Sequence, residues 1–454
     1  MPFKQRKRKL RWLRALTLVA VVCAIWPAFS DDKWQGQIPQ GAEKPEDWNR
    51  LLPELIRNDM PYGAMASARN MLNFFADLPS KELAYQAIIK FVDLGYPFST
   101  RADFIPGDLD PAGHDNFAQS YLLYKGLVNH DKKMEKWAEY YFNKVDKENF
   151  PKYLFFKATE AYAKRQPYEA IVLLKRALTA TSGPDSFSFA KKVARTLARI
   201  HYELGQFDKS LEIYQTFLMK VEPITPADWV EASWNLYQLK RFPEALGLLY
   251  NLESKSSGAS LQLEKYVLRG LIYREFCSVS ATDQLIKSFN KEFGATINGI
   301  KLGEPLAAFP QLIKIDLPEA AEYRQFTLTL TQLENEFKKI NDLPSKVRSL
   351  ANYVYVSEMN MLKRGRQYYE DPAFAALARH LVILGESLRF LKFDVAREKF
   401  NPDRIFSEPP PVVPLKLVDS ADEMNFRLHW LQWGDYWRDE RILYQGLMKK
   451  KCDR

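Results

Sequence analysis

From Tyr62 onward the apolar residues of this chain return at intervals of three and four, and runs that alternate with a period of two are few. That spacing predicts amphipathic helices almost throughout and few strands. Turn signals cut the pattern into pairs. One pair is predicted over Ser188–Val221, with Gly205-Gln206-Phe207 between its helices. The next spans Pro226–Leu252 and turns at Lys240-Arg241-Phe242; an earlier one spans Pro151–Leu178 and turns at Gln166-Pro167. A degenerate fourth is predicted over Leu263–Phe289, and residues 63–145 read as further helical hairpins. Before them, residues 31–62 are polar and punctuated by Pro39, Pro45, Pro53 and Pro61, an entry segment with one short helix around Trp48–Arg57.

After Gly303 the pattern changes. Leu330, Leu333, Phe337 and Ile340 recur at heptad-like spacing up to a break at Asp342-Leu343-Pro344. A second helix carries Val347, Leu350 and Val354. Asp371-Pro372 is then predicted to cap a third, in which Leu377, Leu381, Leu384, Leu388, Leu391 and Val395 alternate by four and three. Residues 301–405 therefore read as long helices packed antiparallel, stacked on or projecting from the preceding array. Residues 406–454 hold a stiff Pro409-Pro410-Pro411 and Pro414 linker and an aromatic tail with Trp430, Trp433, Tyr436, Trp437 and Tyr444. The expected fold class is all-α, a solenoid of helical hairpins followed by a long antiparallel helical hairpin.

The hairpins over 146–300 resemble the tetratricopeptide repeat. Phe207 and Phe242 lie 35 positions apart, close to that family's 34-residue period. In the central unit Leu197 and Ala198 stand at the Leu-Gly pair, His201 at the usual aromatic, Gly205 at the turn and Ser210 at the small residue, with Tyr214 and Phe217 at later core positions. The following unit has Trp229, Ala245, Leu249 and Leu252. The Pro151 unit keeps Ala158, Ala161, Ala170, Leu174 and Ala177; the degenerate unit keeps Gly270, Tyr273, Ile286 and Phe289. Small residues at a helix crossing allow close approach, while large ones fill the gap to the next pair. The wider span of about 150–454 is similar to exported helical-repeat proteins of predatory and gliding proteobacteria, through SWNLYQLKRFPEALGLLYNLES, the Leu261–Cys277 segment, ALARHLVILGESLRFLKFDVAREKF and WGDYWRDERILYQGLMKKKC. That likeness implies an envelope role and no particular activity.

Charge sharpens the compartment. The formal net charge is +9, but residues 1–30 alone carry seven basic side chains and no acidic one. Without them 58 basic residues face 56 acidic ones, too even a balance for a double-stranded nucleic-acid footprint. The basic stretch ends at Arg14, an apolar run spans Ala15–Phe29, and Ala28-Phe29-Ser30 offers small residues for cleavage, the layout of a secretory signal. The alternative is a retained inner-membrane tether through residues 15–29. Either way the body is expected in the periplasm. Cys277 and Cys452 would then meet conditions where disulfides persist, and a bond between them would tie the tail back to the middle of the chain. The expectation is nevertheless that both thiols stay reduced.

In the repeat family the first helix of each pair lines a concave groove. The resemblance places Lys192, Arg195, Arg199 and Tyr202 there in one unit, and Ala227, Val230, Trp234 and Tyr237 in the next. Lys192, Arg195 and Arg199 follow spacings of three and four and so share one helix face. A basic strip beside aromatics suits an extended protein segment with acidic side chains or a C-terminal carboxylate; the bland reading is a solvated face.

Asp108-Leu109-Asp110-Pro111-Ala112-Gly113-His114-Asp115 begins like a calcium loop, but Ala112 and Gln119 replace two oxygen ligands, so a turn is expected and no metal. The sequence lacks GxSxG, HExxH, GxxxxGK[ST] and GxGxxG motifs, and its five histidines are scattered. The reading is a non-enzymatic, cofactor-free envelope scaffold or adaptor that binds proteins. The alternatives are an envelope hydrolase with an unrecognised site, or a membrane-anchored assembly factor.

Overall fold

The computed structural model describes residues 44–399, apart from 95, 97–108, 110, 112–114, 182–186, 221–223, 254–262 and scattered positions between 306 and 316. The protein is all-α, and no strand occurs among the described residues. Its helices form hairpins. They pair as α1 (Pro45–Arg57) with α2 (Pro61–Phe74), α4 (Asn116–Asp131) with α5 (Glu135–Phe142), and α6 (Pro151–Ala163) with α7 (Pro167–Ala180). Further along, α8 (Phe187–Glu203) pairs with α9 (Phe207–Ile213), α10 (Pro226–Gln238) with α11 (Phe242–Tyr250), and α12 (Glu264–Glu275) with α13 (Val279–Lys301). Between the first two hairpins lies α3 (Leu78–Asp93); α14 (Ala321–Phe337) and α15 (Ser345–Lys399) follow.

The six hairpins close through one turn. Each first helix ends in a left-handed residue, namely Asp59, Lys133, Arg165, Gly205, Lys240 and Cys277, with φ between 49° and 73°. The next backbone N–H then reaches back five residues: Met134 to Asn129, Gln166 to Ala161 and Gln206 to His201 at 2.9 Å, and Arg241 to Leu236 at 2.8 Å. This Schellman arrangement satisfies carbonyls that the helix end leaves orphaned. The second helix starts at once, and Pro61 and Pro167 sit in its first turn, where a missing N–H costs nothing.

The chain divides into two compact units. One gathers residues up to Thr196 with Ala320–Asp371; the other gathers Leu197–Glu319 with the residues from Pro372 onward. In the first unit a single core draws on α1 through Trp48, Leu51, Leu52 and Leu55, and on α2, α3 and α4. It also takes Leu330 and Leu333 of α14 and Val347, Leu350, Val354 and Tyr355 of α15. The short helix of the polar entry segment is thus a core element. Within this unit α14 runs antiparallel to the start of α15: Phe337 lies 5.9 Å from Tyr355, and Phe326 stacks on Tyr369 at 5.5 Å.

The expected helix start at Asp371-Pro372 is corrected by the structure. α15 is one continuous helix with Pro372 inside it. A proline there removes a backbone hydrogen bond and crowds the preceding turn. The cost is met by a buried row, Ala373, Leu377, Leu381, Leu384, Leu388 and Val395, with Leu391 half-buried in its place, which needs the helical phase to persist.

In the second unit, α9, α11 and α12 all pack against α10. Ala198, Ser210, Ala245 and Leu249 have no exposed surface, and His201 is buried with its ring 2.8 Å from Gln206 Oε1. Phe217, expected in the core, is only half-buried, while Leu218 is fully buried. A π-helical turn over Tyr214–Leu218 explains the exchange, because the Met219 N–H bonds the Tyr214 carbonyl at 2.8 Å and moves the inward face on by one residue.

Cys277 also departs from expectation. It is fully buried in the turn between α12 and α13, and it is disulfide-bonded.

Candidate functional site

The residues singled out for the groove fall on α8 and α10. Along α8, the Lys192 ammonium lies 5.3 Å from the centre of the Phe155 ring. Arg195 is half-buried one turn later. Arg199, a further turn on, forms a two-pronged ion pair with Glu231 of α10: Nε donates to Oε2 at 2.9 Å and Nη2 to Oε1 at 2.5 Å. The buried Tyr214 hydroxyl donates to the same carboxylate. Burial alone would lower the Arg199 guanidinium pKa, but the facing Glu231 charge outweighs it and raises it. Burial and that same carboxylate push the Tyr214 phenol well above its ordinary value.

More rungs join the helices. Gln238 Nε2 donates to the Tyr202 hydroxyl at 3.3 Å, and Trp234 Nε1 donates to Glu264 of α12 at 3.0 Å. Edge contacts give the aromatics a fixed order, with Tyr202 against Phe207 at 5.2 Å, Trp234 against Tyr237 at 5.8 Å, and Tyr237 against Phe242 at 5.6 Å. Trp234 and Tyr237 stay partly open to solvent, as does Ala227. Val230 does not: it is 2% exposed and belongs to the core, because α10 is flanked on several sides and buries neighbouring Trp229 as well.

The basic strip is therefore not three equivalent cations. Arg199 serves the α8–α10 crossing, where its charge is matched by Glu231, and Lys192 lies over the Phe155 ring. A sequence signal for this existed in Glu231, an acid about one repeat period after Arg199 and beside the expected groove position Val230.

Two buried polar centres in the first unit were missed. Glu336 of α14 accepts from the Tyr62 and Gly63 backbone N–H groups at 3.0 and 2.9 Å and from the Tyr355 hydroxyl at 2.7 Å. It caps the N-terminus of α2, whose own N-cap, Met60, provides no side-chain bond. Burial pushes the Glu336 carboxyl above its ordinary value against the pull of these three donors. A Cβ at Gly63 would lie 2.1 Å from the Tyr355 hydroxyl, so only glycine admits this arrangement. Nearby, Arg69 bonds both Glu358 oxygens at 2.8 and 3.1 Å. Each group was unremarkable in sequence, since its partner lies hundreds of positions away.

Most of the calcium-like loop lies outside the described residues. Its last acid, Asp115, caps α4 by accepting from the Ala118 N–H at 2.7 Å, and Gln119 accepts from the Asp146 N–H at 2.7 Å. Among the described residues no three His, Cys, Asp or Glu side chains converge as a metal site, and no helix is long and apolar enough to cross a membrane. The apolar run Ala15–Phe29 and the aromatic tail lie outside the described residues. The chain matches no known protein family, no curated protein and no solved structure.

Proposed function

We propose that this chain is an exported, non-catalytic scaffold of the tetratricopeptide type, which holds a protein partner in the cell envelope. The observation that carries the reading is the repetition of one hairpin turn at Lys133, Arg165, Gly205, Lys240 and Cys277, at intervals of roughly 35 residues as in that repeat. Side-chain rungs between α8, α10 and α12 add support, because a face braced before binding loses little entropy when a ligand lands on it. The disulfide at Cys277 supports an oxidising compartment, in keeping with export to the periplasm through residues 1–30 or tethering there.

The partner proposed is an extended protein segment with an acidic side chain or a C-terminal carboxylate. Lys192 and Arg195 supply its charge contacts, and Tyr202, Trp234 and Tyr237 supply apolar surface. Lys192→Glu with Arg195→Glu is expected to reduce binding of acidic peptides by at least tenfold, read by Trp234 fluorescence, with the circular dichroism of the fold unchanged. It should also remove the proteins crosslinked to the wild type in the envelope fraction. An identical crosslink set and identical peptide affinities would sink the proposal. Arg199 is left intact in this test because a glutamate there would face Glu231 and disturb the crossing itself.

A further inference from the structure

The last turns of α15 have two contrasting sides. Leu384, Leu388 and Val395 are buried in the second unit. There α12 and α13 lie against the helix: a Cβ on Gly270 would meet Leu391 at 2.3 Å, and Lys392 bonds Asp283 at 2.6 Å. The opposite side carries Ile383, Glu386, Phe390, Phe393 and Arg397, all exposed. Phe390 and Phe393 are 69% and 73% exposed. Single apolar residues scattered on a surface are ordinary, but large ones grouped on one face and rimmed by charge mark a contact site.

At 3.6 residues per turn, Glu386, Phe390, Phe393 and Arg397 fall within about 60° of one another around the helix. Their spacings of four, three and four make a heptad seam. Along it the order is acid, phenylalanine, phenylalanine, base. Glu386 and Arg397 stand 11 positions apart and Phe390 and Phe393 three apart, and both pairs share one midpoint, between Leu391 and Lys392. A two-fold axis through that midpoint lays Glu386 on the partner's Arg397 and Phe390 on the partner's Phe393, and it does so twice. The seam is thus complementary to itself in charge and in shape, as an interface between identical subunits requires. A parallel pairing would instead set Glu386 against the partner's Glu386. Arg397 holds Asp394 of its own chain at 3.5 Å with 76% of its side chain exposed, a surface pair that costs little to exchange.

We propose that two copies of this chain associate through this seam, with the last turns of α15 antiparallel across the two-fold axis. Four phenylalanines exposed to this degree remove about 500–600 Å² from water. With the flanking side chains the contact reaches about 1,000 Å², the low end for specific interfaces. That area fits a reversible dimer of micromolar affinity.

The test is sedimentation equilibrium of the purified full chain from roughly 1 to 100 µM. The expected result is a mass that rises with concentration from that of one chain toward that of two. Phe390→Ser with Phe393→Ser is expected to weaken association by about a hundredfold. Glu386→Arg and Arg397→Glu should each weaken it by about tenfold, because like charges then meet at both ends of the seam. Mixing the two charge variants in equal amounts should restore wild-type affinity: one chain is then basic at both ends and the other acidic at both. Every substituted side chain is exposed, so circular dichroism and Tm should not change. A single-chain mass at every concentration overturns the proposal, as does a dimer indifferent to the charge reversals. So does a mixture that associates no more tightly than either variant alone, an outcome that a loss of folding could not mimic if both variants keep the wild-type Tm.

Discussion

The hairpin turns test whether one backbone conformation unites residues with nothing chemical in common. Lys, Arg, Asp, Cys and Gly all occupy the left-handed position, where every residue but glycine meets a steric cost of about 1 kcal/mol. Gly205 has no heavy atom within 4 Å of where a Cβ would stand, so a substitution there meets strain and no clash. Gly205→Ala is expected to cost about 1 kcal/mol, and Lys240→Gly, whose side chain is exposed, to add about 0.5–1 kcal/mol. Urea denaturation of both variants measures the pair. A stabilised Gly205→Ala, or a destabilised Lys240→Gly, would refute the shared-turn account. Gly205 announced itself in the sequence by composition, and Arg165 through the Gln166-Pro167 signal that follows it. A lysine in the same conformation carries no compositional mark, which is why the turn at Lys133 was not placed within the hairpins read over 63–145.

Elements extend the same lesson. The helix pairs at Pro151 and Pro226 were legible because proline starts, small crossing residues and apolar spacing all agree there, and the degenerate pair at Leu263 through apolar spacing and Gly270 alone. The interior of α15 was not, because Asp371-Pro372 is a strong local stop signal overridden by a buried row on either side of it. The cap of α2 was equally hidden, since Glu336 stands far along the chain from Tyr62 and Gly63. That cap has a pH signature. Burial raises the Glu336 pKa in the folded state, so the folded protein holds this proton more tightly than the unfolded chain does. Its contribution is complete below the ordinary carboxylate range and is lost as pH rises through the raised value. Glu336→Gln has no such proton, and its amide presents N–H groups to a site already filled by donors. The variant is expected to be about 1–3 kcal/mol less stable than wild type at neutral pH, with the gap widening on acidification. Denaturant titrations from pH 4 to 8 check this, and a gap that is flat or narrows toward acid would contradict it.

At the scale of the whole molecule, the candidate face and the two cores make separate demands. The spacing of Lys192, Arg195, Arg199 and Tyr202 puts them along one helix, but the contacts each makes were not legible. Arg199 acquires its role only when Glu231 arrives from the next hairpin, a contact no single helix encodes. The division into units was hidden too, because α14 and the start of α15 join a core begun hundreds of residues earlier. Two interiors imply two degrees of local stability in one chain, even though α8 and α15 run through both units. Leu52 and Leu249 are each completely buried, one in each interior, and truncation of either to alanine is expected to cost about 2–5 kcal/mol. Hydrogen exchange read by mass spectrometry should separate them. Leu52→Ala should release protection in α1 to α4, α14 and the start of α15 while sparing α10 to α13, and Leu249→Ala should do the reverse. If both variants lose protection uniformly along the chain, the molecule unfolds as one cooperative body. A reagent that loosens either end would then loosen the candidate face with it. If they separate, the face on α10 shares the stability of the second unit alone.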